Sequence, residues 1–162
     1  MRAGETLVTK RGLRRFFIVA AALVPALASS SARAAGSCTI VTWSGVAFGT
    51  YDVMSSSPLD STGAVLINCD NAATSVTVNL SRGNASTFKT RYLVNGSAHL
   101  SYNLFLDAAR TTLWGDGTGG SSHYGPVSRP GLALLTIYGR IPALQDLPAG
   151  SYIDTIVATV NF

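Results

Sequence analysis

The side chains able to do chemistry are few, and they are scattered. The 162-residue sequence holds two histidines, two cysteines and eight carboxylates. His99 opens an apolar alternation at Leu100, and His123 lies in a glycine-rich stretch. Neither stands beside a Gly-x-Ser-x-Gly elbow or another nucleophile that an imidazole would activate. Asp107, Asp116 and Asp154 could act as acid and base only if the fold made them converge, and no spacing demands it. The run Gly115-Asp116-Gly117-Thr118-Gly119-Gly120 has backbone suited to cradling an anion, but it lacks the Lys-Ser/Thr ending and the following helix of a phosphate loop. It reads as a long hairpin connection. Too few carboxylates cluster for calcium, and Cys38 and Cys69 with the two histidines show no zinc spacing. Trp43 and Trp114 read as core or edge packing, with an exposed sugar-stacking face as the competing reading. Neither an enzyme nor a bound cofactor or metal is expected.

Charge excludes a second class. The formal charge of +4 is carried by the amino terminus, where Arg2, Lys10, Arg11, Arg14, Arg15 and Arg33 make up half of the twelve Lys and Arg. From Ala35 onward, six cations (Arg82, Lys89, Arg91, Arg110, Arg129, Arg140) face seven aspartates (Asp52, Asp60, Asp70, Asp107, Asp116, Asp146, Asp154), a net charge near −1. The electrostatic footprint of a nucleic-acid binder is missing from the part expected to fold.

The basic start runs into the uncharged stretch Phe16 to Leu27, then small residues and Ala32-Arg33-Ala34, the pattern of a secretory signal peptide over 1–34. Cleavage is expected after Ala34, with an earlier cut near Ala28 as the alternative. A spanning helix would need about 20 apolar residues without the Pro25 that interrupts this run. The domain at 35–162 is then about 128 residues, enough to bury a core. Export also gives the cysteines a meaning: Cys38 and Cys69, the only pair, are expected to be disulfide-bonded in an oxidising compartment.

From Cys38 on, short β-rich runs alternate with turn clusters, and helical periodicity never lasts beyond about two turns. The alternation predicts strands at Thr39 to Trp43, continuing through Val46 to Asp52, then at Gly63 to Cys69, Ser75 to Leu80, Leu100 to Leu106, Leu132 to Ile141 and Tyr152 to Phe162, with a short edge strand at Arg91 to Val94. Within each, one phase faces inward: Val65, Ile67 and Cys69; Val76, Val78 and Leu80; Leu100, Tyr102, Leu104 and Leu106. The fold class is all-β, an immunoglobulin-like antiparallel sandwich. Six principal strands are counted where at least seven are usual. The last strand places Tyr152, Ile156, Ala158, Val160 and Phe162 on its inner face, and its free edge must be covered by another strand, guarded by charge, or left open to a partner.

Several stretches resemble one family. Val46-Ala47-Phe48-Gly49-Thr50-Tyr51-Asp52, Cys69 closing the next strand, Leu100 to Arg110 followed by Leu113-Trp114-Gly115-Asp116-Gly117-Thr118, Tyr138-Gly139-Arg140-Ile141-Pro142 and Gly150-Ser151-Tyr152-Ile153-Asp154-Thr155 are similar to the spore coat U domain, a family that includes the Csu-type pilins of the archaic chaperone-usher pathway. The resemblance covers Cys38 to Phe162. It implies an incomplete sandwich, lacking its final strand, with an acceptor groove beside Tyr152, Ile156, Ala158, Val160 and Phe162. It implies as partners a periplasmic pilus chaperone that first fills the groove, an outer-membrane usher, and a neighbouring pilin subunit whose amino-terminal extension replaces the chaperone. Neither nucleic acid nor a small-molecule substrate is implied.

One departure bears on the role. Family pilins carry a donor extension of a dozen or so residues before the first cysteine, whereas Ser29 to Ser37 contains only Ser, Ala, Arg and Gly. The sequence thus predicts a chain that accepts a strand without giving one, a pilus subunit serving adhesion or biofilm formation and capping the fibre as a tip. A ligand-binding adhesin using the Gly115 to Pro130 loop and a stand-alone spore-coat-like protein are the alternatives.

Overall fold

The computed structural model describes residues 36–162. Eight strands follow in chain order: β1 (Cys38–Ser44), β2 (Leu59–Cys69), β3 (Val76–Leu80), β4 (Arg91–Asn95), β5 (Ala98–Phe105), β6 (Tyr124–Val127), β7 (Gly131–Ile141) and β8 (Ala158–Asn161). They form a five-stranded sheet, β1-β2-β7-β5-β4, and a three-stranded sheet, β6-β3-β8. Every ladder is antiparallel.

The core lies where the two-residue period puts it. Val65, Ile67 and Cys69 of β2, Val76, Val78 and Leu80 of β3, Leu100, Tyr102 and Leu104 of β5, and Ala133, Leu135 and Ile137 of β7 form one buried cluster. Successive strand residues face opposite sides of a sheet, so an alternating sequence buries one face. Leu106, expected with the β5 set, is half-buried. Trp114 plugs the sandwich from the long loop after β5: it is buried, and its indole N–H donates to the Val78 carbonyl at 2.8 Å. Cys38 and Cys69 sit directly opposite each other on β1 and β2 and are joined by a disulfide.

Three expectations need correction. Val46 to Asp52 is not a continuation of the first strand. The chain leaves the sheet after Ser44 and lays Val46 and Phe48 over Gly139 of β7, where a Cβ would meet Val46 Cγ1 at 2.6 Å and Phe48 Cζ at 2.7 Å. Side-chain burial draws this segment off the sheet, and only the Ser61 hydroxyl, donating to the Ala47 carbonyl at 2.6 Å, holds it to β2.

The carboxyl-terminal strand is also shorter than expected, with four laddered residues, Ala158–Asn161. Its partner β3 ends at Leu80, and the turn that follows carries the neighbouring backbone away. Tyr152 to Val157 stays extended without a ladder.

A strand was missed as well. β6 runs Tyr124–Val127 beside β3, inside the Gly115 to Pro130 stretch that reads in the sequence as loop.

Candidate functional site

The site is an open groove between two chain edges. One wall runs from Trp43 of β1 through Gly45 to Val53, and the other from Leu147 to Ile156.

On the β1 wall, a bulge between Ile40 and Thr42 brings Ile40 and Trp43, three residues apart, onto the same face. Ile40 pairs with Ile67 and Trp43 with Val65. Both partners are fully buried, yet Ile40 is 41% and Trp43 38% exposed. Side chains directed at the core thus remain open to solvent because β1 is the outermost strand of its sheet among the described residues. Further along, Val46 and Phe48 are half-buried against the core, with Phe48 meeting Tyr102 edge-on at 5.8 Å. The Tyr51 hydroxyl donates to the Pro142 carbonyl at 2.8 Å and accepts from Gln145 N–H at 2.9 Å, closing this end of the groove. Gln145 in turn pairs its side-chain amide with both backbone groups of Ser101, as a strand would.

The opposite wall alternates strictly. Tyr152, Asp154, Ile156, Ala158 and Val160 are half-buried, while Ser151, Ile153, Thr155, Val157, Thr159 and Asn161 are exposed. Of the residues expected to line an acceptor groove, Tyr152, Ile156, Ala158 and Val160 pack against the core cluster. Phe162 does not join them: it lies beyond the end of β8 and is 55% exposed.

Hydrogen bonds decide which edge of this wall is free. Ile153 exchanges both backbone groups with Val94 of β4, at 2.8 and 3.1 Å. Val157 accepts from Ser81 N–H at 2.9 Å and donates to the Ser81 hydroxyl at 2.9 Å. The segment therefore crosses from the five-stranded sheet to the three-stranded one along a single edge. Backbone groups alternate sides along an extended chain, so those of Asp154, Ile156, Ala158 and Val160 point to the other edge. β3 is the sole ladder partner of β8 among the described residues, and β1 lies near β8 without pairing with it.

Beneath this wall lies a buried cation. Arg91 of β4 is wholly inaccessible; its guanidinium donates to the Ser81 carbonyl twice, at 2.8 and 3.0 Å, to the Trp114 carbonyl at 2.7 Å and to Asn103 Oδ1 at 2.9 Å. Burial pulls its pKa below the usual arginine value. The Tyr102 hydroxyl, pushed above the ordinary phenol range by burial and then by its bond to Asp154, donates to Asp154 Oδ2 at 2.7 Å. Sequence reasoning missed Ile40, Trp43, Val46, Phe48 and Asp154 as groove residues. Asp154 was findable, since it shares the even-numbered phase of Tyr152 and Ile156. The β1 wall was not, because its exposure depends on β1 standing outermost in its sheet among the described residues, which distant partners decide.

Nothing in this arrangement pairs a nucleophile with a base. His99 stacks on Tyr92 at 4.3 Å, and His123 lies against Gly117 in the loop after β5. The chemistry on offer is strand pairing: an unpaired edge of backbone donors and acceptors above an apolar trough.

Comparison with known proteins bears on the family and the fold. A family model described as the Spore Coat Protein U domain matches residues 24–159. Protein U of Myxococcus xanthus is 30% identical over 158 residues, covering 88% of this chain and 87% of its own. The fold also resembles a chain in the crystal structure of the CsuC-CsuE chaperone-tip adhesion subunit pre-assembly complex from archaic chaperone-usher Csu pili of Acinetobacter baumannii. There the TM-score is 0.52 at 22% identity, over 78% of this chain and 40% of that one. The present chain thus spans about two-fifths of that structural relative, and the likeness speaks for the fold.

Proposed function

Because the chain belongs to the spore coat protein U domain family, we propose that it is a structural, non-enzymatic subunit of a surface fibre built by the chaperone-usher route. Its groove takes an extended strand from another chain. The observation that carries this reading is the pairing of fully buried Val65 and Ile67 with half-open Trp43 and Ile40 across one ladder, near the edge strand β8, which has one ladder partner among the described residues. An added strand bonded to the free side of Asp154 through Val160 would run for about 20 Å and cover that trough. Main-chain hydrogen bonds give such a contact its affinity, and alternate side chains in pockets give it specificity.

On this reading the occupants are sequential. A periplasmic chaperone fills the groove after export, an outer-membrane usher receives the complex, and a neighbouring subunit's strand takes over at the cell surface, in the service of adhesion or biofilm formation. The secretory signal expected at 1–34 falls outside the described residues. Residues 28–37 offer only Ala, Ser, Arg and Gly for donation, which favours a subunit that accepts without giving and so sits at a fibre tip. A head-to-tail fibre needs both groove and strand on each unit.

A second reading is favoured by one observation: the family match begins at Val24, ahead of the expected cleavage point. If more of the amino terminus is retained, reaching back into the apolar run Phe16 to Leu27, the chain carries a donor of its own and belongs in a shaft. Amino-terminal sequencing of the exported protein, with a polymerisation assay of its purified chaperone complex, separates the two. Homopolymeric fibres exclude the tip.

The groove itself is tested by fusing a flexible linker and an alternating apolar strand after Phe162. The fused domain is expected to be a soluble monomer, and the unfused domain to self-associate through its open edge. An unfused domain that is monomeric with a high melting temperature removes the basis for the proposal.

A further inference from the structure

The groove floor is not uniformly apolar. A cavity of about 130 Å³ opens between Trp43 and Phe48 on one wall and Asp154 and Ile156 on the other, with Tyr102, Leu104 and Ile137 beneath. An apolar cavity of about 150 Å³ accepts a benzene molecule, so this one has room for a single side chain of about leucine size. One of its walls is a carboxylate.

Asp154 is held by three donors. Oδ1 accepts from Asn84 N–H at 2.9 Å and from Thr155 N–H at 2.7 Å, and Oδ2 accepts from the Tyr102 hydroxyl at 2.7 Å. Gly83, at φ +62°, permits the approach, since a Cβ there would collide with the carboxylate. A carboxylate offers about four lone-pair positions, so one on Oδ2 is left for water in the open groove. An arriving strand removes that water. An acceptor buried without a partner is costly, more so when it is charged. A cation is already close beneath, in the wholly buried Arg91 on the adjoining β4. What the covered carboxylate lacks is a hydrogen, and no second charge is called for.

We propose that Asp154 makes this subsite selective for a strand residue with a short apolar stem ending in an uncharged hydrogen-bond donor, of the kind asparagine or threonine supplies, set among otherwise apolar inward positions. The proposal rests on the strand-accepting reading of the groove and adds the chemistry that one position of the partner must have. A leucine there fills the cavity and leaves the acceptor unsatisfied. An aspartate there sets two carboxylates against each other. Towards β8 the inward-facing residues Ala158 and Val160 are apolar, and leucine is the better occupant there.

Leucine, asparagine and aspartate are close in shape, so they separate chemistry from size. The probe is a set of synthetic alternating Val/Thr peptides of eleven residues, with Leu, Asn or Asp placed in turn at each inward position. Binding to the exported, disulfide-intact domain is measured by competition. The expected result is one position, and only one, where Asn binds about ten-fold better than Leu and Asp binds worst, the other positions preferring Leu. In Asp154→Asn, the Asp peptide should gain on the other two at that same position. If this variant does not fold, the scan on the unaltered domain decides alone. Leu preferred at every position overturns the selectivity while leaving the groove as a strand acceptor. No binding by any peptide overturns the groove reading and the selectivity with it.

Discussion

Trp43 and Val65 are direct partners across the β1–β2 ladder, yet Val65 is sealed from solvent and Trp43 is 38% exposed. Two residues at one level of one sheet face differ only in what lies beside them. Val65 has β7 on its far side, and Trp43 has the groove.

The pair makes Trp43 a reporter of groove occupancy. Adding a complementary strand, free or fused after Phe162, should shift Trp43 emission to the blue, because a half-exposed indole becomes buried. Trp114, already 1% exposed, should contribute no change. Steady-state fluorescence of the wild type and of Trp43→Phe checks this: the shift should vanish in the variant. A shift that survives the substitution would place the strand elsewhere.

Removing the Cys38–Cys69 disulfide should cost stability without redirecting the fold. The bond closes a sequence separation of 31 residues. In the chain-entropy model that is worth about 3–4 kcal/mol, and its loss also frees the edge strand β1 at its first residue. A Cys38→Ser/Cys69→Ser variant, compared by urea denaturation, should show a lower midpoint. Peptide mapping of the unreduced protein should recover the two cysteines in one linked fragment.

Arg91→Lys should be severely destabilising for a conservative change. An ammonium cannot reproduce the planar fork that reaches Ser81, Trp114 and Asn103 together, so buried carbonyls lose their donors. The expected cost is about 2–4 kcal/mol. Ser81 also holds Val157 through its N–H and hydroxyl, so amide exchange at Val157 should accelerate in the variant more than at Ile67 of β2.

Gly139→Ala should loosen one wall of the groove. The new methyl would fall within 2.6 to 2.7 Å of Val46 and Phe48, which must lift off β7. Overpacking of this kind costs about 1–3 kcal/mol. Limited proteolysis should then cut between Gly45 and Val53 in the variant sooner than in the wild type, while β2 stays resistant.

Acid should unlock the loop after β5. Asp107 accepts from the N–H groups of Thr111 and Thr112 at 2.7 to 3.2 Å, and these bonds pull its pKa down to about 2. An unfolded aspartate titrates near 3.9. Its contribution is therefore complete above about pH 4 and falls away as the pH drops towards 2, since the unfolded chain takes up the proton first. Asp107→Asn should remove that part of the acid sensitivity. Thermal melts between pH 5 and pH 2 should show a shallower decline for the variant.

Local pattern carried much of this protein. The two-residue alternation in Val65, Ile67 and Cys69, in Val76, Val78 and Leu80, and in Leu100, Tyr102 and Leu104 is a property of each segment alone. It marked those residues as one buried face before any partner was known. The same alternation placed Tyr152, Ile156, Ala158 and Val160 inward. It could not say how far their strand is laddered, because that is set by where β3 stops, at Leu80, 78 residues before its partner Ala158. Nor could it separate Trp43 from Trp114: one stands on the outermost strand of its sheet among the described residues and the other plugs the core, although both are tryptophans beside a glycine or serine turn. Val46 and Phe48 looked like strand because they alternate, and tertiary packing over Gly139 drew them off the sheet. Asp154 looked like an ordinary strand carboxylate, and only the meeting of the Gly83–Asn84 turn, β5 and the carboxyl-terminal segment turned it into the polar point of an apolar groove. Period is local and follows from backbone geometry. Edges, partners and the walls of a groove are long-range, and they exist only once distant segments have met.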